Sequence, residues 1–219
     1  MSSVLTEAEK ELVLGTYRRA VEFYQPKIEA RTGVSLGEIN VWDYDKLHED
    51  LLHNWEQQFG FVRRLLFRRH IRKLRQAWEK SSRVEAEQGT ACFHNGSIYV
   101  SFCGDGLCLE PHHVAFAVVH ELAHALWEKL EGGVAVEVGR HAAPNDSKES
   151  LFVEGYATYA ELIWFSNLYP DHVRSYLRYV LESYDEEGMH RLGMRKIQDL
   201  VEQSGNAILL EIPCRWKEL

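Results

Sequence analysis

The sequence predicts a mostly helical α+β fold: N-terminal helices, then a small sheet or hairpin, then one helix carrying two histidines and a following helix carrying a glutamate. Three observations carry that expectation. Capped stretches with apolar residues at three- and four-residue spacing recur along most of the chain. Two β-prone runs, "ACF" and "IYVSF", flank an Asn-Gly pair at residues 91–102, a strong hairpin signal. The segments "HELAHALW" (120–127) and "VEGYATYAEL" (153–162) set histidine and carboxylate side chains at helical spacing.

In chain order, "LTEAEKELVL" offers Thr6 as a helix cap with Glu9 at capping-box distance and Leu5 as a hydrophobic staple, predicting a helix to about Gln25. "RTGVSLGEIN" reads as a turn. A helical region is expected from about Asp43 to Lys80, broken near Gly60, with Phe67, Ile71, Leu74 and Trp78 on one inward stripe. The hairpin follows. Pro111 is placed to open a helix that runs to Glu131 and stops at Gly132-Gly133. The next helix is expected from about Asp146 to Phe165, and "PDHVRSYLRYVLESYDEE" and "MRKIQDLVEQSG" read as two more. Residues 1–88 form a helical N-terminal portion packed on the portion 89–219 that bears the chemistry, the two making one compact unit.

Composition narrows the function. Hydrophobic residues make up 45% of the 219, enough for a sizeable core, and no stretch approaches the roughly 20 apolar residues that span a bilayer. The start has no basic flank leading into an apolar run, so a soluble cytoplasmic protein is expected. Four cysteines are too few for a disulfide scaffold and read as free thiols. A net charge of -8 argues against a nucleic-acid coat protein, although "RRLLFRRHIRKLR" (63–75) gathers 7 of the 25 Lys and Arg. That basic run has two readings, a solvated helix face or a surface for anions or a partner.

His120 and His124, four apart on a helix, project from nearly the same azimuth with Cβ atoms about 5 to 6 Å apart, which suits two imidazoles on one zinc ion. Glu121 is turned by about 100° from them and can reach a water on that ion without binding the metal. The surrounding helix is apolar nearly all round, with Ala115, Val119, Leu122 and Leu126 opposite the histidines. A buried helix bearing these polar groups requires something to pair them. No histidine stands at 127 or 130, so the extended three-histidine pattern is absent. Glu154 comes instead on a second helix, after 29 intervening residues, with Thr158 and Glu161 following on its face.

Together these two segments resemble the gluzincins, zinc metallopeptidases with a zincin-like core; "VEGYATYAE" is similar to the N-E-G-F-A-x-Y motif of the membrane-alanyl-aminopeptidase branch. The resemblance covers about residues 90 to 210. It implies one zinc held by His120, His124 and Glu154, with Glu121 as general base and Thr158 and Glu161 supporting the ligands. Val153 replaces the branch's asparagine, and the G-x-M-E-N segment that captures a substrate amine is missing, so exopeptidase specificity is not implied. A tyrosine of that branch, three residues before a glycine, donates to the oxyanion; the matching stretch here has His190 and Gly193, with Tyr184 as the alternate. An edge strand ahead of the zinc helix pairs with extended peptide in gluzincins, which points to Tyr99, Val100 and Ser101. The expected partner is therefore a peptide or unfolded protein, and the expected reaction is hydrolysis by a water held between zinc and Glu121. The rival reading is a catalytically silent zincin fold that binds protein or anions. In the tail, Cys214 beside Arg215 has two readings: a thiolate that closes the zinc site, or an ordinary buried thiol, with "AILLEIP" a final buried strand or docking segment.

Overall fold

The computed structural model describes residues 6–47, 91–102, 111–132, 148–171, 173–174 and 188–219. Helix α1 (Glu7–Thr32) opens with the expected capping box: Glu9 N–H donates to Thr6 Oγ1 at 3.3 Å and Thr6 N–H donates to Glu9 Oε2 at 2.7 Å. The helix does not end at Gln25. It continues through Pro26 to a left-handed Gly33. An interior proline costs about 3 kcal/mol. Here Val21 and Tyr24 before it and Ile28 and Thr32 after it are all buried along one stripe, which holds both halves against the core.

Strand β1 (Asn40–Asp43) lies in the stretch expected as turn and helix start, with Val41 its one buried residue. β2 (Ala91–His94) and β3 (Ser97–Val100) form the expected hairpin. Its two loop residues, Asn95 and Gly96, both have positive φ, 49° and 79°, the backbone a right-twisted two-residue hairpin requires. β1 pairs parallel with β3, placing Asn40 opposite Ser97 and Asp43 opposite Val100, so the sheet order is β1-β3-β2. A helical turn begins at 44. The stripe Phe67 to Trp78 and the basic run 63–75 lie outside the described residues.

Helix α2 (Pro111–Leu130) runs beneath the hairpin and is buried nearly all round, from Val114 to Trp127. Gly132, at φ 100°, follows it. Helix α3 (Lys148–Tyr159) continues as one π-helical turn over Ala160–Trp164, closed by Phe165 N–H to the Ala160 carbonyl at 2.8 Å. Helix α4 (Met189–Ser204) crosses α3 at backbone contact. A Cβ added to Gly155 would lie 2.2 Å from the Gly193 carbonyl carbon, and one added to Gly193 would lie 2.2 Å from the Leu151 carbonyl oxygen. The chain ends in a 3-10 turn (Asn206–Leu210) and the short helix α5 (Ile212–Arg215), which pack on α2 and α4. The tail is thus a helical docking segment, not a strand. Glu131 anchors it by accepting from the indole N–H groups of both Trp127 and Trp216, at 3.1 and 3.3 Å.

One hydrophobic cluster joins α1, β1, β3 and the C-terminal helices. The result is a mostly helical α+β fold with a three-stranded sheet, a histidine-bearing helix and a glutamate-bearing helix: a zincin-like core.

Candidate metal centre

α2 presents His120 and His124 one turn apart, with ring centroids 4.8 Å from each other. α3 brings Glu154 to meet them. Glu154 Oε2 lies 3.4 Å from His120 Nε2 and 3.6 Å from His124 Nε2. Zinc bonded to nitrogen or oxygen at about 2.0 to 2.1 Å in a tetrahedron needs donor atoms about 3.3 to 3.4 Å apart, so this spacing fits the ion. Among the described residues this is the one group of three or more potential ligands, and its donor atoms all lie within 4.8 Å of one another.

The two sides of His120 are both engaged. Its Nδ1 is 2.9 Å from Glu161 Oε2, on the π turn that follows α3, while Nε2 faces Glu154. A carboxylate on Nδ1 fixes the hydrogen there and leaves the Nε2 lone pair for a metal. Glu161 is itself 3% exposed, so His120 gives this buried carboxyl its partner. Burial works against a charged His120, but Glu154 and Glu161 outweigh it and hold its pKa well above the usual 6.5. Burial likewise works against a charged Glu154, and His124 and His120 outweigh it, holding that carboxyl well below 4.5.

The sign of the pH dependence follows. The His120 contribution to metal-free stability is complete below about 6.5 and is lost as pH rises through its raised folded value; that of Glu154 is complete above about 4.5 and is lost as pH falls through its lowered one. Both act fully between those limits. Zinc must displace the His120 proton, so its uptake at neutral pH is expected to release protons and to weaken as pH falls. Calorimetric titration with zinc in two buffers of different ionisation enthalpy checks this; equal heats in both would contradict it.

Glu121, 5% exposed, is not one of the three converging ligands. Burial pushes its carboxyl above the usual range, while His124 and His120 pull it back, and the Phe93 backbone N–H donates to it. Hairpin register explains that last contact. The two-residue turn makes His94 and Ser97 the hydrogen-bonded closing pair, so the N–H and C=O of Phe93 point to the outer side of β2, towards α2.

His190, at the start of α4, also reaches the cluster. Its Nδ1 is 3.1 Å from Thr158 Oγ1 and 3.7 Å from Glu154 Oε2, and its ring centroid lies 5.8 Å from that of His120. Burial lowers its pKa; Glu154 opposes that, and His120 and His124 add to it. The ring is therefore neutral near pH 7.

The structure thus brings His120, Glu121, His124, Glu154, Thr158, Glu161 and His190 to one place. Tyr99, Val100 and Ser101 do not offer an open strand edge. β3 is the inner strand, paired with β1 on one side and β2 on the other, and Val100 and Ser101 are buried. Among the described strands the edge beside α2 that has no strand partner is that of β2. Ala91 and Phe93 carry its outward backbone groups, and the parity of the Asn-Gly turn was the signal that could have found them. Cys214 is not at the cluster either: its thiol donates to the Leu130 carbonyl at 2.8 Å, at the far end of α2. Leu130 is six residues beyond His124, about 9 Å along the helix axis. Cys214 is a free thiol, exposed rather than buried; Cys103, Cys108 and Tyr184 lie outside the described residues.

Fold and site together define a generic zinc-metallopeptidase site on a zincin-like core. Comparison with family models, with curated proteins and with solved structures gave no match, so the geometry alone carries the functional reading.

Proposed function

We propose that this protein is a gluzincin-type zinc peptidase that hydrolyses peptide bonds in extended or unfolded chains. The observation that carries the proposal is Glu121: a buried carboxyl with a raised pKa, one residue from a ligand histidine and outside the ligand set. Zinc on His120, His124 and Glu154 supplies a Lewis acid that acidifies water and polarises a carbonyl. Glu121 takes the proton from the attacking water and returns it to the leaving amine. His190 donates to the developing oxyanion. Glu161 holds the His120 ring in register. The outer edge of β2 pairs with substrate backbone through Ala91 and the Phe93 carbonyl, the Phe93 N–H being held by Glu121, which gives affinity with little sequence preference. Residues 1–88 and 89–219 are read as one unit, a reading supported among the described residues by the packing of β1 and α1 on β3 and α2. Among the described residues no helix is long and apolar enough to cross a membrane. A reducing cytoplasmic setting suits the chain, in keeping with the free thiol of Cys214.

Metal analysis of the purified protein is expected to give one zinc per chain, lost in His120→Ala, His124→Ala and Glu154→Ala. Full occupancy in His124→Ala would reject the ligand set. A zinc-loaded wild type that leaves an unstructured protein intact would instead assign a silent binding module. His190→Phe should lower kcat by about 10² or more with zinc content unchanged, the usual loss for an oxyanion donor. Single-turnover rates check this, and an unchanged rate removes His190 from the mechanism.

A further inference from the structure

Thr158 is wholly buried one turn after Glu154 on α3. Among the described residues its hydroxyl has one hydrogen-bond partner, His190 Nδ1 at 3.1 Å. A hydroxyl in a dry site must place its hydrogen on an acceptor, because an orphaned buried donor loses its hydration and gains nothing. If His190 Nδ1 carried the hydrogen and donated to Thr158, the threonine hydrogen would be left without an acceptor. If Nδ1 is bare, both groups are satisfied. We propose that Thr158 donates to His190 Nδ1 and thereby holds this ring as the Nε2–H tautomer, making Thr158 the positioning residue for the donor that faces the substrate carbonyl.

The need for such a residue is visible in the same geometry. Glu154 Oε2 lies 3.7 Å from the same Nδ1, and a carboxylate there draws the hydrogen onto Nδ1. That tautomer presents a bare Nε2, which cannot donate to an oxyanion and would repel it. Thr158, nearer and aimed at Nδ1, opposes the carboxylate. The two groups that compete for one ring nitrogen sit on one turn of one helix. The Gly155–Gly193 crossing, one residue from Glu154 and three from His190, brings the ring down onto that turn.

The inference rests on the peptidase reading only for its consequence in catalysis. Its test is therefore spectroscopic first. In the zinc-loaded full chain labelled with 15N-histidine, long-range proton–nitrogen spectra report which nitrogen of each ring is protonated, and the His190 signals are those missing from His190→Phe. The expected result is Nε2–H in the wild type and in Thr158→Ser. In Thr158→Val, which keeps the shape but removes the hydroxyl, the hydrogen should move to Nδ1. In parallel, kcat should fall about tenfold or more in Thr158→Val with KM and zinc stoichiometry unchanged, and Thr158→Ser should restore it. Nδ1–H in the wild type, or an unchanged tautomer in Thr158→Val, would overturn the proposal. Should Thr158→Val fail to fold, the wild-type spectrum still decides it. A tautomer that responds as expected in a protein that cleaves no peptide would support the Thr158 assignment and reject the peptidase reading alone.

Discussion

Glu121→Gln is expected to retain one zinc per chain and to lose peptide hydrolysis by about 10² to 10⁴, the contribution of a positioned general base. The separation of the two effects is what matters. His120, His124 and Glu154 keep their positions in this variant, because Glu121 is not one of the three converging ligands and its replacement is nearly isosteric. The amide oxygen can still accept from the Phe93 N–H, so the packing of α2 under the hairpin is preserved. What disappears is an acceptor basic enough to take a proton from water. Zinc content measured beside single-turnover rates checks both halves. A variant that holds zinc and cleaves at the wild-type rate would show that Glu121 is not the base.

Gly193→Ala should destabilise the fold and slow turnover together. Its added Cβ would lie 2.2 Å from the Leu151 carbonyl oxygen and 2.7 Å from the Gly155 Cα, both backbone atoms that no side-chain rotation can move. α3 and α4 must separate by roughly 1 Å to reach ordinary contact, an overpacking that costs about 1 to 3 kcal/mol. A loss of that size lowers Tm by several degrees in a chain of this length. His190, one turn before Gly193, moves away with α4 and gives up its 3.1 Å contact with Thr158, so kcat should fall as well. Gly15→Ala is the control. Its Cβ meets only the Arg19 side-chain end at 3.5 Å in the middle of α1, and there helix propensity predicts a gain of about 0.5 to 1 kcal/mol. Thermal denaturation of the two variants should therefore move in opposite directions. A Gly193→Ala protein with unchanged Tm and kcat would mean that the helices do not meet at this point.

How much of this was legible in the sequence depended on how local the determinant was. Thr6 with Glu9, and the Asn95-Gly96 turn, are settled within a few residues, and each stands where its motif placed it. The spacing of His120, Glu121 and His124 is equally local. The continuation of α1 through Pro26 is not, because burial of Tyr24 and Ile28 against elements distant in sequence overrides a local breaker. β1 has four residues, one of them buried, and its partner is more than 50 residues on, so no window of sequence contains the pair. The error over the open edge followed from that omission. With β1 unseen, β3 looked like an outer strand of a hairpin; once β1 is in place, β3 is enclosed and β2 carries the edge beside Glu121. The pairing of His190 with Thr158 likewise depends on α4 crossing α3 at two glycines, a contact between residues 32 positions apart that neither segment announces by itself.

The most direct measurement is digestion of an unstructured peptide library by the zinc-loaded protein, with Glu121→Gln and chelator-treated protein in parallel and the product termini mapped by mass spectrometry. New internal or terminal cleavages should appear with the zinc-loaded wild type and be absent from both controls. A wild type that holds one zinc per chain yet generates no new termini, or one that cleaves equally well without metal, would contradict zinc-dependent peptide hydrolysis.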